Sequence, residues 1–101
     1  MIRHIVMWKF KDEAEGMKKP EIIEKVRGGL ASLVGKVPVI RGLEVGGSVT
    51  GGDDMHYDMA LVVTLDKIED LPLYDGHPEH VKVREFIGKV RTARVTADIE
   101  V

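Results

Sequence analysis

A chain of 101 residues is read as a single domain, 1–101, and a domain of this size buries only about two-thirds of the surface its unfolded chain exposes, so burial against a partner would add noticeably to its stability. With 44% apolar and 32% charged residues and no apolar run near the ~20 residues of a membrane helix, the composition excludes a disordered chain and a membrane span. The formal net charge of −2 provides no field to attract nucleic acid, and the lack of cysteine excludes disulfides, zinc-thiolate sites and thiol nucleophiles.

The N-terminus Met1-Ile2-Arg3-His4-Ile5 lacks the profile of a signal peptide, so the expected location is cytoplasmic. Residues 2 to 10, rich in Ile, Val, Met, Trp and Phe, predict a strand with Ile2, His4, Val6, Trp8 and Phe10 on one face. Ile5 and Met7 make the opposite face apolar too, which points to a sheet covered on both sides. After the polar segment Lys11 to Lys19, Pro20 suits the first turn of a helix running to about Val34, with Ile22, Ile23, Val26, Leu30, Leu33 and Val34 forming its apolar stripe. Gly28 and Gly29 within it imply close packing or a bend, and Gly35 is placed to cap its end.

Ile40 to Gly47 predicts a second strand, Ser48 to Asp54 a loop, and His56 to Leu65 a third strand that is again apolar on both faces. Asp66 and Glu69 have capping-box spacing and predict a short helical turn that Pro72 ends. Pro78 starts the second long helix, on which Val83, Phe86, Ile87 and Val90 keep helical spacing. Thr92 to Val101 alternates as the last strand. The order β-α-β-β-α-β predicts an α+β, ferredoxin-like protomer: a four-stranded antiparallel sheet with both helices on one face. The apolar residues left on the other face, among them Met7 and Val62, then call for a second copy, so a homodimer through the face opposite the helices is expected.

Chemistry concentrates in Tyr74-Asp75-Gly76-His77-Pro78-Glu79-His80. Tyr74 and His80 can act as an acid–base pair, because imidazole titrates near neutrality and a phenol can stabilise an enolate oxygen. His4 shares a strand face with Val6 and Trp8 and would add a polar group to the floor of the same pocket. The alternative is a packed, inert set of side chains. His77 and His80 could hold a metal with Glu79 or Asp75, but a spacing of three is weaker than the metalloprotease pattern, and His77 as helix cap is favoured. The glycine-rich stretch Gly46 to Gly52 lacks the Lys-Ser/Thr ending of a phosphate loop. No metal, cofactor, nucleic acid or membrane partner is expected.

Ile2-Arg3-His4-Ile5-Val6 with Trp8-Lys9-Phe10-Lys11, Val37-Pro38 through Gly46, Tyr57-Asp58, Tyr74 with His77-Pro78-x-His80, and Arg94-Val95-Thr96-Ala97-Asp98 together resemble the stress-responsive α/β-barrel (Dabb) domain family over essentially the whole chain. The resemblance implies a ferredoxin-like protomer whose sheets pair into a dimeric α+β barrel. A plant polyketide-cyclising branch of that family closes an aromatic ring without cofactor. By that resemblance Tyr74 and His80 would be the catalytic pair, with His4 lining the pocket and His77 more structural. Asp75-Gly76 departs from the apolar pair usual there.

The expected site therefore comprises catalytic Tyr74 and His80 with His4, Val6, Trp8 and His77 lining a pocket for a small apolar or polyketide-like molecule. A role in stress tolerance, a cyclase-like enzyme and a purely structural dimer are the three functional readings.

Overall fold

A computed structural model describes residues 1–101. Strand β1 (Ile2–Phe10) is followed by two short strands, β2 (Glu13–Ala14) and β3 (Met17–Lys18), then helix α1 (Lys19–Ala31), strands β4 (Gly42–Gly47) and β5 (Met59–Leu65), a 3-10 turn (Ile68–Asp70), helices α2 (Leu71–Asp75) and α3 (Pro78–Val90), and strand β6 (Arg91–Glu100). The main sheet is antiparallel with order β4-β5-β1-β6. This is the ferredoxin-like plan expected from the element order.

The alternation of β1 decides how the layers stack. Ile2, His4, Val6, Trp8 and Phe10 are buried, as are Met59, Leu61, Val63 and Leu65 of β5. Register places Val6 beside Leu61 and His4 beside Val63, so these residues form one continuous face. Ile22, Val26 and Leu30 of α1 and Ile87 and Val90 of α3 complete that core. Gly47 lets α1 approach β4, since a Cβ there would meet Ile23 at 3.1 Å, whereas at Gly29 a Cβ would only touch a Val83 methyl of α3 at an ordinary 3.4 Å.

β6 differs from its neighbours, because its residues are exposed apart from half-buried Ala93. Its pairing with β1 puts Arg94, Thr96 and Asp98 on the helix side, beside Trp8, Val6 and His4. Val95, Ala97 and Ile99 share the outer face with Met7, Ile5 and Arg3. That outer face, continued by Ala60 and Val62 of β5, is apolar and uncovered within one protomer.

Several local expectations are corrected. The segment Lys11 to Lys19 contains a small hairpin, turned at Glu15 and Gly16 with φ of 52° and 74°. α1 ends at Ala31 rather than near Val34; Gly35, at φ 88°, belongs to the irregular turn after it. β5 starts at Met59 rather than His56; Asp58, just before it, turns its carboxylate to the Phe10 N–H at 2.8 Å and to Lys19 at 3.3 Å. Pro72 does not end a turn. It opens α2, where a missing N–H leaves no helical bond unmade. Asp66 binds Arg41 at 2.9 Å instead of capping.

Candidate functional site

The site begins with a helix–turn–helix step that the sequence encodes locally. Pro72 starts α2 and Gly76 ends it, the Gly76 N–H reaching back to the Pro72 carbonyl at 3.0 Å. A Cβ at Gly76 would lie 3.2 Å from that same oxygen, so glycine permits the tight exit. His77 then caps α3: its extended backbone leaves the helix N-terminus open, and its Nδ1 accepts the Glu79 N–H at 3.1 Å. Pro78 follows at the first helical position. The step turns Tyr74 and His80 toward one another, with ring centroids 4.4 Å apart.

Both rings line a cavity of about 460 Å³ between α3 and the sheet, within the size range of small-molecule sites. His4, Val6 and Trp8 come up from β1, Leu61 from β5 and Ile87 from α3. The His4 ring meets Tyr74 edge-on with centroids 5.7 Å apart. Its Nδ1 donates to the Asp98 carboxylate at 2.6 Å, since a carboxylate can only accept at neutral pH. That bond leaves the His4 Nε2 free to address the cavity.

His80 is fixed in the same manner by a different acceptor. Its Nδ1–H donates to the Asp75 carbonyl at 3.0 Å, so its Nε2 is the atom left without an intramolecular bond. Burial pushes the imidazole below its ordinary pKa, and this outweighs the opposing pull of the Asp75 carbonyl and carboxylate. Near neutral pH the Nε2 therefore carries a lone pair. Tyr74 is driven the opposite way: burial holds its phenol well above the ordinary value, with the Asp75 charge adding to the shift. Its hydroxyl is buried and has no protein hydrogen-bond partner. An unmet buried hydroxyl costs about 1–3 kcal/mol, which makes it the most conspicuous polar atom in the molecule. A neutral base and a protonated acid thus lie side by side.

Of the residues expected at the site, the structure brings His4, Val6, Trp8, Tyr74 and His80 to this cavity. His77 is not among the lining residues, because its ring is engaged at the helix N-terminus. No three histidine or carboxylate side chains are grouped closely enough to hold a metal ion. Asp98 and the arginines Arg84, Arg91 and Arg94 escaped the sequence reading. Arg84 was within reach: His80, Arg84, Ile87 and Gly88 follow helical spacing along α3, and all line the cavity. Asp98 depends on strand register, which the sequence does not display.

Gly88 carries a prediction. It sits in a helix, where glycine costs about 1 kcal/mol relative to alanine, yet a Cβ there would meet nothing within 4 Å. Packing does not require it. Gly88→Ala should raise stability in urea denaturation by about 0.4–1 kcal/mol. A Gly88→Ala variant less stable than the parent would contradict this.

The family model for the stress responsive A/B barrel domain matches residues 2–101. A dimeric protein of unknown function with a ferredoxin-like fold from Bacteroides fragilis superposes with TM-score 0.87 at 28% identity, covering 99% of this chain and 95% of its own. A dimeric ferredoxin-like protein of unknown function from Thermobifida fusca superposes with TM-score 0.82 at 26% identity, covering 99% and 90%. A hydroxynitrile lyase from Passiflora edulis shares the fold, with TM-score 0.78 at 15% identity and coverage of 99% and 92%. No protein of curated function matches the chain in sequence. No helix is long and apolar enough to cross a membrane. With its whole length matched and its fold shared, the chain belongs to the stress responsive A/B barrel domain (Dabb) family.

Proposed function

We propose that the protein is a homodimer whose cavity binds a small apolar carbonyl compound and transfers a proton on it. His80 Nε2 takes a proton from the carbon next to the carbonyl, and Tyr74 Oη donates a hydrogen bond to the oxygen on which negative charge develops. The His80 imidazolium then returns the proton, so the step needs no external reagent. One observation carries this reading: the Tyr74 hydroxyl is buried without a protein partner in a cavity wall it shares with His80. His4, held by Asp98, supplies a third polar atom for orienting the ligand. A cyclase-like reaction is one case of this chemistry, and a part in stress tolerance is a setting in which it would be used.

We assign the two-fold contact to the outer sheet face bearing Ile5, Met7, Val62, Val95 and Ile99. Support comes from their apolar character on an uncovered face and from the dimeric state of the Bacteroides and Thermobifida proteins. The cavity lies on the other side of the sheet, so each protomer carries its own.

The chemistry is tested with phenylacetone in D₂O, following deuterium entry next to the carbonyl by NMR. The protein should accelerate exchange, and His80→Gln should remove about 10²–10⁴ of that acceleration. The rate should be level from about pH 7.5 to pH 10, because His80, pushed below its ordinary pKa, is deprotonated and Tyr74, pushed above its own, is still protonated across that span. Folding stability should fall as the pH drops below about 6.5, where the unfolded chain takes up the proton that native His80 resists. Binding of phenylacetone with no acceleration would leave a binding protein and defeat the catalytic reading; neither binding nor acceleration would favour the purely structural dimer.

A further inference from the structure

The cavity rim carries a feature that proton transfer does not use. Arg91 and Arg94 stand three apart on β6, a spacing that strand alternation sends to opposite faces. The ladder breaks there. Trp8 pairs with Arg94 and Lys9 with Ala93, but Phe10 pairs with Arg91. Thr92 is therefore the extra residue of a β-bulge, a device that re-aims side chains, and Arg91 returns to the same face as Arg94. Both arginines line the cavity.

Neither is neutralised within the chain. Arg27 and Arg41 hold Glu24 and Asp66 as ion pairs, and Arg84 donates to the Asp75 carbonyl at 3.3 Å. Arg91 and Arg94 have no carboxylate within ion-pair distance and no side-chain hydrogen bond. Below them lie Val6, Trp8 and Leu61, a surface suited to an apolar body. Among the lining residues Arg84, Arg91 and Arg94 face Asp75 and Glu85, a balance of one positive charge that matches a monoanion better than a dianion. Asp98, nearby on β6, is engaged by His4.

Resting on the reading of this cavity as a ligand site, we propose that its ligand is a carboxylic acid with an apolar body. The carboxylate is held at the rim by Arg91 and Arg94, and the body lies over Val6, Trp8 and Leu61 toward Tyr74 and His80. Two guanidinium groups offer paired N–H donors to the two oxygens of a carboxylate, and such charge-assisted bonds are the strong ones. The arrangement also sets direction, since the acid stays at the wet rim while the carbon skeleton enters.

The test uses 2-naphthoate, its neutral counterpart 2-naphthamide and 2-naphthyl phosphate, titrated into the full chain by calorimetry and by NMR of the His80 ring. The naphthoate should bind about tenfold or more tighter than the amide. Arg91→Gln with Arg94→Gln should abolish that preference and leave amide binding within about twofold, a margin below ~0.5 kcal/mol. Equal binding of acid and amide would overturn the carboxylate assignment while leaving the cavity as a ligand site. A preference that survives in the double variant would overturn the role of these arginines. Tighter binding of the phosphate would overturn the choice of a monoanion. Failure of all three probes to bind or to move the His80 signals would overturn the ligand-site reading itself, and this proposal with it.

Discussion

Tyr74→Phe is expected to make the protein more stable and its chemistry slower. The phenol oxygen is buried with no protein partner, so removing it relieves a desolvation cost of about 1–3 kcal/mol while the ring keeps its contacts with His4 and His80. At the size of this domain, about 1 kcal/mol corresponds to a rise of roughly 4–8 °C in Tm. The same change removes the only hydrogen bond we assign to the developing oxyanion, and loss of one such donor lowers turnover by about 10²–10³. The two effects must be read together. A tyrosine that served only as core would give the same gain in stability but leave the exchange of phenylacetone unchanged. Thermal unfolding checks the first effect, and the deuterium-exchange assay on the same variant separates the two cases.

The second large effect concerns assembly. Val62 lies in the centre of the outer face, paired with Ile5 on one side and Glu44 on the other, with Ala97 beyond Ile5. It is half-buried in a single protomer, so Val62→Glu leaves the carboxylate room to reach water when the protomer is alone. Across a two-fold contact through this face the two new charges would be desolvated, at a cost of several kcal/mol. Light scattering at ~10 μM should show the parent as a dimer and Val62→Glu as a monomer, since 3 kcal/mol is already more than a hundredfold in Kd. Circular dichroism should show the secondary structure retained. A Val62→Glu variant that stays dimeric would move the contact to another surface.

The layout of the fold was legible because it rests on period. Alternation in residues 2 to 10 and helical spacing from Ile22 to Leu30 each name a buried face, and the buried residues lie on those faces. What failed was decided by contacts across the chain. Asp58, just before the start of β5, bonds to Phe10 and Lys19, and nothing in the string Tyr57-Asp58-Met59 shows that. Pro72 reads as a stop because proline both starts and ends helices, and only the following turn settles which.

At the site the same division holds. Tyr74 and His80 announce themselves through their residue types and the Gly76 and Pro78 around them. His4 was placed by strand parity. The sequence puts His77 among the pocket-lining residues, but the cap geometry that it also suggests takes the ring elsewhere. Asp98 and the shared face of Arg91 and Arg94 depend on the register of β1 with β6 and on one bulge. A single slipped residue would send each of them to the other side of the sheet.

On the proposed reading His80 presents an unprotonated Nε2 to a ligand beside a protonated Tyr74. The ¹⁵N–¹H correlation spectrum of the His80 imidazole from pH 5 to 9, without and with 2-naphthoate, tests it. The prediction is a neutral ring with the proton on Nδ1 at pH 7, a titration midpoint below the ordinary value, and an Nε2 signal that moves when the ligand binds. A ring already protonated at pH 7, or an Nε2 that ignores a ligand bound in the cavity, would contradict it.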